Sequence, residues 1–202
     1  MPTSISMTRN SQPFRASARQ RPPGLIIIGI DPGTLVTGYS IIELNGATPR
    51  LLECGTIRSP ASLALPDRLH VIYSGIRQLI TRHRPSEMAI ESAFYGKNAQ
   101  SALKLGHARG VSLLAAVENG LPTTEYSPRE IKKAVVGRGA ATKQQVRYMV
   151  RSLLHLGETR MALDTSDAVA IALCHLQQRA SAVPHAQSWS AYVAAHPEKV
   201  RR

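Results

Sequence analysis

The chain has 202 residues, 43% of them hydrophobic, which suits one α/β domain with a normal core and excludes two large lobes or a disordered or fibrous protein. Lys and Arg number 25 against 13 Asp and Glu, a net charge of +12 with a pI near 10.4, as expected of a polyanion binder that releases condensed counterions from phosphate. Cys54 and Cys174 form no Cys-x-x-Cys pattern, which excludes a disulfide framework or zinc site and fits a reducing cytoplasm, and no apolar stretch reaches the roughly 18 residues of a membrane span.

Residues 1–23 hold Arg9, Arg15, Arg19 and Arg21, several serines and prolines and no acid. This reads as a disordered basic arm, although the same composition fits an organelle transit peptide. Leu25–Ile30 is a continuous apolar run ending at Asp-Pro-Gly, as for a central strand entering a turn. Gly38–Leu44 and Arg50–Ile57 read as two further strands, with Asn45-Gly46 as turn chemistry between them. From Leu65 to His83 the residues Leu69, Ile72, Ile76, Leu79 and Ile80 recur at helical spacing. Glu87–Glu91 is a short strand. A helix then runs from Asn98 to Glu118, with Ala102, Gly106 and Gly110 stepping by four along one face. Each internal glycine costs about 1 kcal/mol against alanine, which points to a close backbone approach by another helix or another subunit.

Pro122–Tyr126 is a fifth strand, and Ser127-Pro128-Arg129-Glu130 is a capping box with proline at the first helical position. Thr142 and Gln145 repeat the capping logic for a helix to about Leu156, and a last helix begins near Asp164. Residues 183–202 lack sustained periodicity and close on Lys199, Arg201 and Arg202, so the two ends carry half of the net charge. The order βββ-α-β-α-β-α-α-α is that of an RNase H-like α/β fold, a five-stranded mixed sheet flanked by helices.

Asp31 ends the first strand, Glu91 ends the fourth, and Asp164 and Asp167 open the final helix, three residues apart on one face. Acids at the ends of buried runs are driven toward neutrality unless a cation is near. Converging carboxylates also repel, by about 4 kcal/mol per pair at 4 Å and an effective dielectric near 20. A divalent cation reverses that sign, and oxygen-only ligands select Mg²⁺ or Mn²⁺ over zinc. Singly, each acid has a plainer reading: Asp31 as a turn residue, Asp164 as a helix cap, Glu91 as the partner of a lysine.

Four blocks, in order and with compatible spacing, resemble the RuvC family of Holliday-junction resolvases. They are Ile28-Gly-Ile-Asp-Pro-Gly-Thr-Leu-Val-Thr-Gly-Tyr39; Ala89-Ile-Glu-Ser-Ala-Phe94 with Lys97–Gly106 and Ala108-Arg-Gly110; Glu125-Tyr126 through Val135-Val-Gly137 with Thr142-Lys143; and Asp164-Thr-Ser-Asp-Ala-Val-Ala-Ile-Ala172. The resemblance spans roughly Gly24 to Arg179, giving a nuclease domain over 24–182 between the basic arm and a C-terminal tail. It implies a homodimer that cuts four-way junction DNA symmetrically, leaving 5′-phosphate ends, in recombination and repair. Asp31, Glu91, Asp164 and Asp167 would hold two Mg²⁺ ions per subunit, with Mn²⁺ able to substitute. Lys132 and Lys143 would sit near the scissile phosphate and support catalysis. A RuvA–RuvB branch-migration complex and a cytoplasmic, nucleoid-associated location are implied in the same way.

Arg129–Arg151 is the densest basic segment of the core, with Glu130 as its single acid. Arg129, Lys133, Arg138 and Arg147 are expected at the DNA backbone, although a solvated helix face explains such runs equally well. Phe94 and Tyr95 follow Glu91 and are candidates for stacking at the junction centre, against a core role for Phe94. Lys97 and Asn98 in the same stretch are expected to reach phosphate. His175, eight residues after Asp167, reads as a packed helix residue, and Cys54 and Cys174 as core residues.

Three other readings compete. An ATP-binding phosphotransferase of the sugar-kinase and actin type also opens on a strand ending Asp-x-Gly-Thr, but needs two such lobes. A non-catalytic junction binder would have no reason to keep four mutually repelling acids. A nuclease for another substrate, such as an RNA–DNA hybrid, is compatible with the fold, which alone does not decide function.

Overall fold

The computed structural model describes residues 24–92, 99–156 and 162–181. Its architecture follows from the first strand, β1 (Leu25–Asp31). Side chains alternate across a strand, yet neighbouring Ile27 and Ile28 are both fully buried. The strand therefore needs a packed layer on each face and sits in the middle of the sheet.

Antiparallel to β1 runs β2 (Val36–Asn45), and β3 (Thr48–Arg58) pairs antiparallel with β2. On the other side β1 pairs parallel with β4 (Glu87–Glu91), which pairs parallel with β5 (Thr123–Tyr126). The order is β3-β2-β1-β4-β5, a five-stranded mixed sheet. Helices α1 (Leu65–His83) and α2 (Ala99–Glu118) cover the face bearing Ile28, Ile30 and Ile41. Helices α3 (Pro128–Val136), α4 (Lys143–Leu153) and α5 (Leu163–Ser181) cover the face bearing Ile27 and Ile42. Every residue from Ala168 to Leu176 in α5 is buried, so this helix lies at the centre of its layer. Among the described residues no helix is long and apolar enough to cross a membrane.

The element order matches the sequence reading, with β2 and β3 each beginning two residues earlier and ending one later than expected, and both capping boxes form, Ser127 with Glu130 and Thr142 with Gln145. Three details differ. The β2–β3 turn is Gly46-Ala47, because Asn45 still pairs with Thr48 and the positive φ falls on Gly46 alone. The α4 helix stops at Leu153 rather than near Leu156, since His155 has turned into the left-handed region at φ 52°. Finally, a Cβ added at Gly106 or Gly110 would meet nothing within 4 Å, so no described helix approaches α2 at its glycines.

Candidate active site

Asp31 and Glu91 are the last residues of β1 and β4, one position beyond the pair Ile30–Ile90. Parallel neighbours lie about 4.8 Å apart, so both carboxylates leave the same end of the sheet side by side. Asp164 and Asp167 come from the first two turns of α5, which packs directly on β1, β2 and β4.

Two glycines let the helix come this close. A Cβ at Gly38 would stand 2.4 Å from the Asp164 carbonyl oxygen, and one at Gly29 would stand 2.4 Å from the Ala168 carbonyl oxygen. The Ser40 hydroxyl, buried between them, donates to that Ala168 carbonyl at 2.8 Å. Side-chain-free strand positions and one hydrogen bond therefore seat the helix that carries two of the four acids. The sequence reading missed all three residues; glycine inside a strand is the signal that a close backbone approach leaves.

The acids feel one another. Burial first, then the charge of Glu91, then those of Asp167 and Asp164, push the Asp31 carboxyl from 3.8 up to about 7, with Lys143 opposing. Burial and Asp167 raise Glu91, while Lys143 and Lys132 pull it down. The Lys143 ammonium donates to Asp167 Oδ2 at 2.6 Å, which holds the lysine above its ordinary range, and its field reaches Asp31, Asp164 and Glu91 as well. Lys143 is the first residue of α4, fixed by the Thr142 cap, so the capping box aims the cation at the acids.

Among the described residues, no three of these acids have already closed to the distance at which side chains share a metal ion. Four like charges with one ammonium among them have no reason to close further. Their chemistry nonetheless fits a hard divalent ion: they offer oxygen donors only, and their mutual repulsion is what such a cation would relieve.

Lys132 is half-buried on α3 with its charge acting on Glu91, whereas Arg129, Lys133 and Arg138 are exposed and Arg147 half-buried. These basic groups belong to the layer that also carries Lys143. Phe94, Tyr95, Lys97 and Asn98 lie outside the described residues. His175 is a packed helix residue: it is buried and bonded to Tyr126 and Glu87, apart from the four acids. Cys174 is fully buried, and Cys54 is partly buried against the same core.

Residues 27–175 match the family model described as crossover junction endodeoxyribonuclease RuvC. The chain belongs to the RuvC family. It is 51% identical over 155 residues to the RuvC of Halorhodospira halophila, covering 77% of this chain and 92% of that one. Against the RuvC of Chloroherpeton thalassium it is 43% identical over 184 residues, covering 87% and 99%. Among solved structures, Thermus thermophilus RuvC in complex with a Holliday junction substrate superposes with a TM-score of 0.72 at 33% identity, covering 77% and 94%. The yeast mitochondrial Holliday junction resolvase shares the fold, with a TM-score of 0.56 at 14% identity. Membership makes this chain a crossover junction endodeoxyribonuclease of RNase H-like fold, and divalent-metal dependence comes with the family.

Proposed function

We propose that this RuvC-family nuclease resolves Holliday junctions by hydrolysing two phosphodiester bonds symmetrically, with Asp31, Glu91, Asp164 and Asp167 as its metal-holding acids. The observation that carries the reading is electrostatic: four carboxylates at the ends of β1, β4 and the start of α5 share the Lys143 ammonium, and Asp31 is held up to about 7. Two Mg²⁺ ions per subunit, or Mn²⁺ in their place, would lower the pKa of an attacking water and offset charge on the leaving 3′ oxygen, giving 5′-phosphate ends.

The chain's own groups do the rest. Asp167 orients Lys143 through the 2.6 Å bond to its ammonium, and that ammonium meets a phosphate oxygen arriving at the acid cluster. Lys132, whose charge acts on Glu91, supports the same phosphate. Arg129, Lys133, Arg138 and Arg147 hold the backbone of the arms and so set affinity and register rather than sequence. Phe94 or Tyr95 stacks at the opened centre of the junction, with Lys97 and Asn98 on neighbouring phosphates.

Symmetric cutting requires two active sites, and α2 offers a face for a second copy. Leu103, Gly106, Gly110, Leu114 and Val117 fall on one stripe, and the three large residues are 67%, 50% and 71% exposed. The opposite stripe, Ala108, Ser112, Ala115 and Ala116, is buried against the monomer's own core. A homodimer through α2 explains the two internal glycines that nothing among the described residues approaches. The branch-migration partner RuvA–RuvB and a cytoplasmic, nucleoid-associated location follow from this role.

The test is incubation of the purified protein with a synthetic four-way junction, a matched linear duplex and an RNA–DNA hybrid, each with Mg²⁺, with chelator, and with Asp31→Asn protein. Paired symmetric nicks on the junction alone, lost with chelator and with the substitution, are expected. Junction binding without cutting would leave only a binding module, and cutting of the hybrid would overturn the substrate.

A further inference from the structure

A second polar cluster lies in the core, and nothing in the reaction above uses it. Tyr126 Oη is 2.8 Å from His175 Nδ1, His175 Nε2 is 2.6 Å from Glu87 Oε2, and Arg179 meets the other Glu87 oxygen. Tyr126 and His175 are 8% and 5% exposed. Burial pushes the tyrosine hydroxyl up to about 12, so it keeps its proton. When the ring is neutral with its proton on Nε2, the hydroxyl donates to Nδ1 and the Nε2–H donates to the Glu87 carboxylate.

Apolar side chains would fill this space without the cost of desolvating polar groups, so the cluster's value lies in what its bonds connect. Tyr126 ends β5, pairs with Glu91, and accepts the Ser92 N–H on its carbonyl at 2.9 Å. Glu87 starts the strand that Glu91 ends. His175 and Arg179 lie on α5, two and three turns beyond Asp167. Apolar burial is non-directional and tolerates sliding of a helix along a sheet, whereas hydrogen bonds of defined length and angle do not.

We infer that the chain Tyr126–His175–Glu87 is a positioning device, which fixes the axial register of α5 against β4 and so sets how closely Asp164 and Asp167 approach Glu91. These are positioning residues: they touch neither DNA nor the reacting atoms, and they act through the carboxylates' affinity for the divalent ion. The inference rests on the carboxylate site proposed above.

The experiment is Mn²⁺ binding to the full chain, followed by calorimetry well below the unfolding temperature. Tyr126→Phe and His175→Ala should weaken Mn²⁺ binding several-fold. His175→Gln should restore most of it, because its amide can accept from Tyr126 and donate to Glu87. Ile76→Ala, a core truncation on the opposite face of the sheet, should lower the melting temperature yet leave Mn²⁺ binding unchanged. If His175→Ala does not fold, Tyr126→Phe carries the comparison. Wild-type affinity in Tyr126→Phe, or an equal loss in Ile76→Ala, would overturn the inference. Asp31→Asn run in parallel separates the two levels: if it binds Mn²⁺ as wild type does, the carboxylate site itself is wrong.

Discussion

Lys143 Nζ and Asp167 Oδ2 are 2.6 Å apart, joining the first residue of α4 to the second turn of α5. The bond puts a single ammonium where its field reaches all four acids, and Asp167, 16% exposed, spends one of its oxygens on it. A lysine so placed tempers the repulsion that raises Asp31 and Glu91. Under the proposed function it would also present a donor to an arriving phosphate.

Replacing Lys143 by methionine keeps the stem and removes the charge. Asp31 and Glu91 then rise further, and the phosphate loses its donor. Single-turnover cleavage of a four-way junction should fall on the order of 10²-fold or more, as when a preorganised donor is removed from an active site. Lys143→Arg should keep part of the rate, and Lys132→Met should cost less than Lys143→Met, because Lys143 bonds Asp167 directly and its field reaches Asp31, Asp164 and Glu91, whereas Lys132 acts on Glu91 as the weaker of the two lysines. Unimpaired cleavage by Lys143→Met would remove this residue from the machinery.

Asp31 makes stability depend on pH in a definite direction. Its carboxyl loses its proton at about 3.8 ordinarily and at about 7 in the folded chain. Between those values the native state holds a proton that the unfolded state has released, so native stability falls as pH rises from 4 to 7 and is level above. The penalty at pH 8 has a ceiling of about 4 kcal/mol. Asp31→Asn should therefore be more stable than wild type at pH 8 in chelator and similar to it at pH 4, by urea midpoints. Mg²⁺ should raise the wild-type midpoint at pH 8 and leave that of the variant nearly unmoved.

That the four acids come together was legible in the sequence, because apolar strands that end on carboxylates are costly unless something compensates. That Lys143 and Lys132 stand beside them was suggested only by the family resemblance, since charge density in Arg129–Arg151 does not say which cation turns inward. What seats α5 was not legible. Gly29 and Gly38 matter for the atoms of Asp164 and Ala168 that lie more than 120 residues away in the chain, and no window of sequence contains that proximity. The Tyr126–His175–Glu87 chain was hidden for the same reason, joining three elements whose order says nothing of side-chain reach.

Gly38→Ala tests the seating of α5. The added methyl would stand 2.4 Å from the Asp164 carbonyl oxygen, a backbone atom that no rotamer change can move aside. The helix must lift or tilt at its N-terminus, at a cost of about 1–3 kcal/mol for an overpacked core position. Junction cleavage should fall far more than junction binding, because the basic groups on α3 and α4 proposed to hold phosphate are left in place while two acids move. Equal losses in cutting and binding, measured by gel shift and single-turnover kinetics, would mean that the seating is not specific to the site.

The α2 face gives the last prediction. Leu103, Leu114 and Val117 stand well exposed along one stripe, with Gly106 and Gly110 between them and, among the described residues, nothing within 4 Å of a Cβ added at either glycine. Spacings of three and four keep these five residues on a single seam, and an exposed apolar seam of this length is how a helix prepares for a second helix. Leu114→Glu should put one buried charge per subunit into that seam and shift wild-type dimers to monomers in sedimentation equilibrium, with little loss of monomer stability, since Leu114 is already half exposed. The monomer retains every carboxylate, so it should still bind a divalent ion. Its junction products should change from paired symmetric nicks to unpaired single ones. If the variant remains dimeric, the contact lies elsewhere and the glycines in α2 need another explanation. If it becomes monomeric yet still cuts both strands in one encounter, symmetry of cleavage does not come from this interface.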